Sequence, residues 1–143
     1  MNKKITTYLL KLIRTKKRIA KCKIDDKYLV TDGYVAFIIP ENEIEVNVNL
    51  IEDTSNLQEM IESLKDVNYK EGKIKYYIKN GIGLCGKIEN DKKYSFINSE
   101  YLRYFKDYTI EIKGTLDPIK VLNYKNELIG IIMPVRMSEE EKQ

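Results

Sequence analysis

A glycine-rich segment is the first place in this sequence where the residue types match a known chemistry. Residues 81–86 read GIGLCG and match the pattern GxGxxG, which binds phosphates where a strand leads into the N-terminus of a helix. The residues that follow, KIENDKKYSF, are typical of another strand. We therefore expect Gly81 to lie in an Asn-Gly hairpin turn, while Gly83 and Gly86 relieve twist or crowding within a strand.

Side chains that commonly act in catalysis are scarce in this chain. It has no histidine, which removes Ser-His and Cys-His nucleophiles and the usual zinc sites. Asp25, Asp26 and Asp32 have the chemistry of acid–base catalysts or magnesium ligands, but they stand at predicted turns, which Asp stabilises through local backbone hydrogen bonds. We expect no catalytic residues, no metal site and no cofactor, and therefore a protein that is not an enzyme.

The N-terminal segment carries the most informative charge pattern. At 100° per residue its basic side chains form one stripe, opposite an apolar face that includes Ile5, Leu9 and Leu12. The stripe consists of Lys4, Lys11, Arg14 and Arg18, and Lys16, Lys17 and Lys21 add charge at its end. No acidic residue precedes Asp25, whereas ordinary surfaces mix both signs of charge. Phosphate contact and a simple solvated face are therefore competing interpretations of this stripe.

Three tyrosines near the C-terminal third could also touch nucleic acid. Tyr101, Tyr104 and Tyr108 are side chains of the type that stacks on bases. Their spacing in a short amphipathic segment favours packing in the core and at its rim.

The elements that would position these side chains follow from hydrophobic periodicity. Apolar residues at helical spacing predict a helix over about the first fourteen residues, a second over residues 54–66 and a short one over residues 99–107. Ser55 with Gln58 fits a capping box, and Asn98 or Ser99 fits an N-cap. Strands are predicted within residues 18–40, with turns at 25–26 and 32–33, and near residues 43–50, 73–79, 82–88, 93–97, 108–113, 118–123 and 127–133. Since strands and helices do not alternate as βαβ units, we expect an α+β fold with an antiparallel sheet.

Length and composition limit the organisation of the protein. The 143 residues suffice for one domain, or for one domain built from two similar lobes. The net charge of +3 is too small by itself to indicate nucleic-acid binding. Cys22 and Cys85 stand far apart, and no apolar stretch reaches the length of a signal peptide or membrane span. These features favour free thiols, a cytoplasmic location and no membrane partner.

Residues 94–137 contain four features in order, which are Phe96 with Asn98, Tyr101-Leu102, Asp117-Pro118 and the terminal Met133-Pro134-Val135-Arg136. In these features the segment resembles the C-terminal end of bacterial DNA-polymerase sliding clamps, the β subunits of the replicative polymerase. Upstream, the segment YLVTDGYVAFIIP is similar to a strand-turn-strand element of the clamp. The predicted helix over residues 54–66 has no obvious counterpart in that family.

The resemblance implies a clamp-like antiparallel sheet with two or three helices packed on one face. Residues 1–137 would form a single domain, followed by a flexible acidic tail over residues 138–143. In clamp rings the helices turn basic residues toward the DNA backbone. Together with the basic stripe, this makes the candidate DNA-binding residues Lys4, Lys11, Arg14, Lys16, Lys17, Arg18, Arg103 and Lys106. The family's terminal strand also contributes to a cleft that receives partner peptides, so the candidate protein-binding residues are Met133, Pro134, Val135, Arg136 and Met137.

Two functions follow as hypotheses. The first is a non-enzymatic, clamp-like accessory protein, phage-encoded, that binds duplex DNA or replication proteins as a homo-oligomer. The second is a phage inhibitor or decoy that acts on a host clamp or a bacterial defence complex. Acidic residues such as Glu59, Glu62 and Asp66 and those at 139–141 would suit a basic partner surface in the second case.

Overall fold

The computed structural model describes residues 2–15, 19–43, 55–81 and 83–138. Within these ranges the fold is α+β, with one antiparallel sheet of nine strands. The helices are α1 (Lys3–Arg14) and α2 (Ser55–Ser63), with 3₁₀ helices η1 (Glu41–Glu43) and η2 (Ser99–Tyr104). The strands are β1 (Ala20–Ile24), β2 (Lys27–Thr31), β3 (Val35–Pro40), β4 (Lys70–Asn80), β5 (Gly83–Glu89), β6 (Tyr94–Asn98), β7 (Thr109–Ile112), β8 (Ile119–Leu122) and β9 (Leu128–Ile132).

The strand order in the sheet is β1-β2-β3-β9-β8-β7-β4-β5-β6. Two antiparallel three-strand units, β1-β2-β3 and β7-β8-β9, meet where β3 pairs with β9. The long strand β4 joins β5 and β6 to these two units, because residues 70–72 pair with β7 and residues 73–80 pair with β5. The predicted strand over residues 43–50 lies outside the described residues except for its first position, Glu43, which ends η1.

Both faces of the sheet carry buried apolar side chains in β2, β3 and β9. Successive residues of a strand point to opposite faces, and in β3 Val35 and Phe37 pack on one side while Ala36 packs on the other. The helices α1 and η2 cover the first face through residues such as Leu9 and Leu102. The helix α2 covers the second face through Leu57, Met60 and Ile61.

The predicted class is thus confirmed: the fold is α+β, and two helices pack on one face of an antiparallel sheet. The third predicted helix, α2, packs on the opposite face. It must do so because Leu29, Ala36 and Ile131 would otherwise expose apolar surface to water on that side.

The strand–turn–strand interpretation of GIGLCG is confirmed, since β4 ends at Asn80 and β5 begins at Gly83. Gly83 adopts φ 130°, a conformation that side chains with a Cβ rarely adopt. A Cβ at Gly86 would lie 3.4 Å from both Ile74 Cγ2 and Tyr77 Cε1. The glycines therefore serve the hairpin, and no helix N-terminus follows them to hold a phosphate.

Candidate nucleic-acid interface

The helix α1 separates its apolar and basic side chains, as its sequence predicts. The side chain of Asn2 caps the helix by accepting a hydrogen bond from the Lys4 backbone N–H at 2.7 Å. Thr15 ends the helix, where its Oγ1 donates to the Lys11 carbonyl oxygen at 2.9 Å. Ile5, Tyr8, Leu9 and Leu12 pack into the core, while Lys4, Lys11 and Arg14 are exposed. Lys3 of α1 is also exposed.

The start of α1 lies against η2, a segment about one hundred residues further along the chain. The Asn2 side-chain amide donates to the Tyr104 carbonyl oxygen at 3.1 Å. Lys4 Nζ lies 3.5 Å from the Arg103 carbonyl oxygen. Two of the predicted DNA-binding residues, Lys4 and Arg103, are therefore neighbours in space, and both are exposed.

The Arg103 guanidinium is oriented by its neighbours. It donates to the Tyr104 hydroxyl at 2.9 Å and stands 5.0 Å from the centroid of the Tyr104 ring. The hydrogen bond to this hydroxyl is the main reason that the pKa of Arg103 is raised. Glu100 lies 3.6 Å from the guanidinium, but both side chains are more than half exposed, and such pairs contribute little free energy. The cation thus remains available to an anionic ligand.

A buried aromatic cluster holds α1 and η2 in this arrangement. The Tyr8 ring lies 5.0 Å from the Tyr104 ring and 6.2 Å from the Phe37 ring, measured between centroids. The Tyr8 hydroxyl donates to Asp32 Oδ2. Burial, followed by this bond to a carboxylate, raises the pKa of Tyr8 above its ordinary value. Asp32 Oδ1 also accepts from the Tyr34 N–H at 2.8 Å.

Asp32 therefore has the structural role that its position at a predicted turn indicates. One carboxylate oxygen stabilises the turn before β3, and the other holds Tyr8 of α1. The three tyrosines considered as base-stacking residues belong to the core and its rim: Tyr104 is buried, while Tyr101 and Tyr108 are half-buried against the same core.

The structure describes five of the eight predicted DNA-binding residues. These five, Lys4, Lys11, Arg14, Arg103 and Lys106, are exposed on α1, on η2 or just after η2. Among the described acidic side chains, Glu100 alone forms an ion pair with one of these five. Lys16, Lys17 and Arg18 lie outside the described residues.

The predicted protein-binding residues follow β9 and link two parts of the sheet. The Met133 N–H donates to the Tyr34 carbonyl oxygen, and the Val135 N–H donates to the Phe96 carbonyl oxygen, both at 2.8 Å. Met137 is buried against Cys85 and Phe96, whereas Arg136 is exposed. Of the five residues, Val135 and Met137 contact β6, while Met133 is bonded beside β3. The role of Met133, Pro134, Val135, Arg136 and Met137 in peptide binding stays a prediction.

Sequence reasoning missed the contacts that position this interface. No pattern in the sequence pairs Asn2 with Tyr104. The bond between Tyr8 and Asp32 likewise joins residues that are 24 positions apart. A covarying pair of positions in related sequences is the kind of signal that would have revealed such contacts.

Comparisons with models of protein families, with curated proteins and with solved structures found no match. None of the helices in the described ranges is long and apolar enough to span a membrane. Any functional conclusion therefore rests on the residues and their geometry.

Proposed function

We propose that the protein is a non-enzymatic, clamp-like DNA-binding accessory protein that contacts the sugar–phosphate backbone through α1 and η2. Its contacts would be made by Lys4, Lys11, Arg14, Arg103 and Lys106, joined by Lys16, Lys17 and Arg18 of the segment after α1. In this proposal it serves DNA replication or repair in the bacterial cytoplasm, is encoded by a phage, and acts as a homo-oligomer.

The observation that carries the proposal is the approach of Lys4 to the Arg103 backbone, at 3.5 Å. It places the basic end of η2 beside the basic stripe of α1 and produces one surface from two distant segments. Lys4 and Arg14 are ten residues apart, which corresponds to about 15 Å along a helix. Over that length duplex DNA carries on the order of nine phosphate charges. The stripe therefore has the dimensions needed for several phosphate contacts.

The architecture also supports the clamp-like part of the proposal. The strands β1-β2-β3 and β7-β8-β9 form two halves of one part of the sheet, and each half follows a helical segment in the chain. The helix α1 precedes β1-β2-β3, and η2 precedes β7-β8-β9. The two halves join through β3 and β9, and both helical segments pack on the same face. This is the arrangement that the clamp resemblance implies, with basic helices on one face of a sheet. The helix α2, which has no obvious counterpart in the clamp family, packs on the other face.

Assembly into a homo-oligomer would use the ends of the sheet. The strand β1 stands at one end of the strand order and has a partner strand, β2, on one side. Unpaired strand edges are sites where another chain can add to a sheet. Light scattering will decide this part: a ring-sized mass supports encirclement of DNA, and a monomer excludes it.

The DNA-binding proposal is tested by neutralising the surface. We expect the variant with Lys4, Lys11, Arg14 and Arg103 all changed to Gln to lose about four phosphate contacts. The slope of log affinity against log salt should therefore be less steep in the variant than in the wild type by about 3.6. Equivalently, the fall in affinity between about 50 and 200 mM salt should be smaller in the variant by a factor of about 150. Fluorescence anisotropy with a labelled duplex, repeated across this salt range, measures both quantities.

A control variant carries the same change in charge elsewhere. Lys23, Lys65, Lys79 and Lys125 are also exposed, and changing them to Gln should leave most of the duplex affinity and salt slope intact. Equal losses in both variants would mean that only net charge matters, and unchanged binding in the first variant would refute the interface.

The alternative function, a phage protein-binding inhibitor of a host clamp or defence complex, draws on the acidic side of α2. Glu59 and Glu62 are exposed there, on the sheet face opposite α1. However, Glu62 pairs with Lys65 at 3.0 Å and Asp66 pairs with Lys113 at 2.8 Å, so this surface carries less free negative charge than the sequence indicates. Capture of a purified host clamp by the protein, with loss of capture after Glu59→Lys, would favour this alternative over DNA binding.

A further inference from the structure

A wide cleft with a lysine-rich lining lies away from α1 and η2. It is formed by the first half of β4, the turn between β5 and β6, and the loop between β7 and β8, and it has a volume of about 1100 Å³. The lysines that line it are Lys70, Lys73, Lys75, Lys92, Lys93 and Lys113. We call this feature the lysine cleft. Three separate chain segments thus bring their ammonium groups to one concave surface.

The lysine cleft opens on the face of the sheet opposite α1 and η2. A Cβ on Gly72 would point toward Ile88 and Ile112, which belong to the core that α1 covers. Because side chains alternate along a strand, Glu71 and Lys73 point to the other face, whereas Lys70, at the rim of the cleft, shares the face of Gly72. The pairing of Lys113 with Asp66, three residues after the end of α2, also places the rim of the cleft on that side.

The cleft has an excess of uncompensated positive charge. Lys113 is held by Asp66 at 2.8 Å, and Glu89 is held by Lys87 at 2.9 Å. The other five lysines have no described acidic side chain within ion-pair distance. Against them stand three lining acids, Glu71, Asp91 and Asp117. A bound polyanion would relieve the mutual repulsion of these ammonium groups.

The chemistry of the lining selects among anionic ligands. Lysine binds phosphate as a compact point charge without the fixed fork of arginine. Among the described residues that line the cleft there is neither an arginine nor an aromatic side chain, so bases could not stack there. These features suit repeated phosphates along a nucleic-acid backbone, bound without regard to sequence.

We propose that the lysine cleft is a second backbone-binding site for nucleic acid, so that one chain holds two duplex segments on opposite faces of its sheet. The two-segment part of this inference rests on the proposed function of α1 and η2, while the cleft is a separate surface. A protein of this design connects two stretches of DNA rather than only following one.

The test compares three variants of the full chain with the wild type. In the cleft variant Lys73, Lys75, Lys92 and Lys93 are changed to Gln; in the helix variant Lys4, Lys11, Arg14 and Arg103 are changed to Gln; the third variant combines both sets. Each is titrated, at protein concentrations well above the dissociation constant, with a duplex of about one helical turn. The readout is the number of duplexes bound per chain, with urea unfolding as a check that each variant is folded.

We expect the cleft variant and the helix variant each to bind fewer duplexes per chain than the wild type, and the combined variant to bind none. An unchanged number of duplexes per chain for the cleft variant would overturn the lysine cleft as a site. The proposed function fails separately: if the cleft variant binds no duplex while the helix variant still binds one, the cleft is the DNA site and α1 is not.

Discussion

Replacing Gly130 by alanine tests the packing that sets η2 against the sheet. Gly130 lies in β9, and a Cβ at this position would stand 2.3 Å from both Cε1 and Cζ of Phe105 and 3.1 Å from the Ala36 carbonyl oxygen. Contacts below 3.0 Å do not occur between real atoms of this kind, so something must move. Phe105 directly follows η2, where its N–H donates to the Leu102 carbonyl oxygen at 3.1 Å.

The Phe105 ring has little freedom to give way. It lies 5.8 Å from the Phe37 ring and 6.4 Å from the Tyr108 ring, measured between centroids. Forcing extra volume into such a site typically lowers the free energy of unfolding by about 1–3 kcal/mol. We expect Gly130→Ala to fall in this range in urea denaturation. Any displacement of Phe105 also moves η2, so duplex affinity should fall with it.

A double-mutant cycle identifies the cause. The variant Phe105→Leu removes the two ring atoms that the new methyl group would meet, so Gly130→Ala should be less destabilising in that background, by about 1 kcal/mol or more. Gly81→Ala is the control, because Gly81 is exposed and a Cβ there meets nothing within 4 Å; we expect a change within about 0.5 kcal/mol. Equal effects of Gly130→Ala in both backgrounds would refute the reasoning.

Two further predictions concern bonds that hold the interface and α2 in place. Tyr8→Phe removes the hydroxyl that donates to Asp32. This change should lower the free energy of unfolding by about 1.5–3 kcal/mol, as expected for a bond to a charged group. Tyr34→Phe should change the free energy of unfolding little, because the Tyr34 side chain is 65% exposed. The pKa of Asp66 is lowered from 3.8, chiefly by its hydrogen bond with Lys113. This contribution to stability is present above pH 3.8 and is lost as the pH falls through the lower folded-state pKa. Acid unfolding curves of Asp66→Asn should lack this component, and an identical pH dependence in the variant and the wild type would contradict the assignment.

Much of the secondary structure could be predicted from local patterns. The helix α1 spans Lys3–Arg14, as its periodicity over about the first fourteen residues predicts, and the turns before β2 and β3 fall at the predicted Asp-containing positions. These elements depend on interactions within a few residues, which a sequence displays directly. The short segment after Asn98 has the predicted cap but forms a 3₁₀ helix.

Other features depend on contacts that no local pattern contains. The strand β4 begins at Lys70 rather than near residue 73, because its first three residues pair with β7. The helix α2 has an ordinary amphipathic pattern. It packs on the face opposite α1 because β3 and β9 carry apolar side chains on both faces of the assembled sheet. Lys4 and Arg103 were each named from the sequence as candidate DNA-binding residues, yet the contact that brings them together was not predicted.

The sequence by itself determined the α+β fold class, the basic stripe of α1 and the absence of histidine chemistry, since these depend on composition and on spacing along single elements. The tertiary structure alone decided which charges share a surface. It joined α1 to η2 through Tyr8, Asp32 and Tyr104, and it gathered lysines from three segments into a cleft on the opposite face. The physical reason is that burial of apolar area sets the positions of the strands, and the exposed charges follow the strands and loops that carry them.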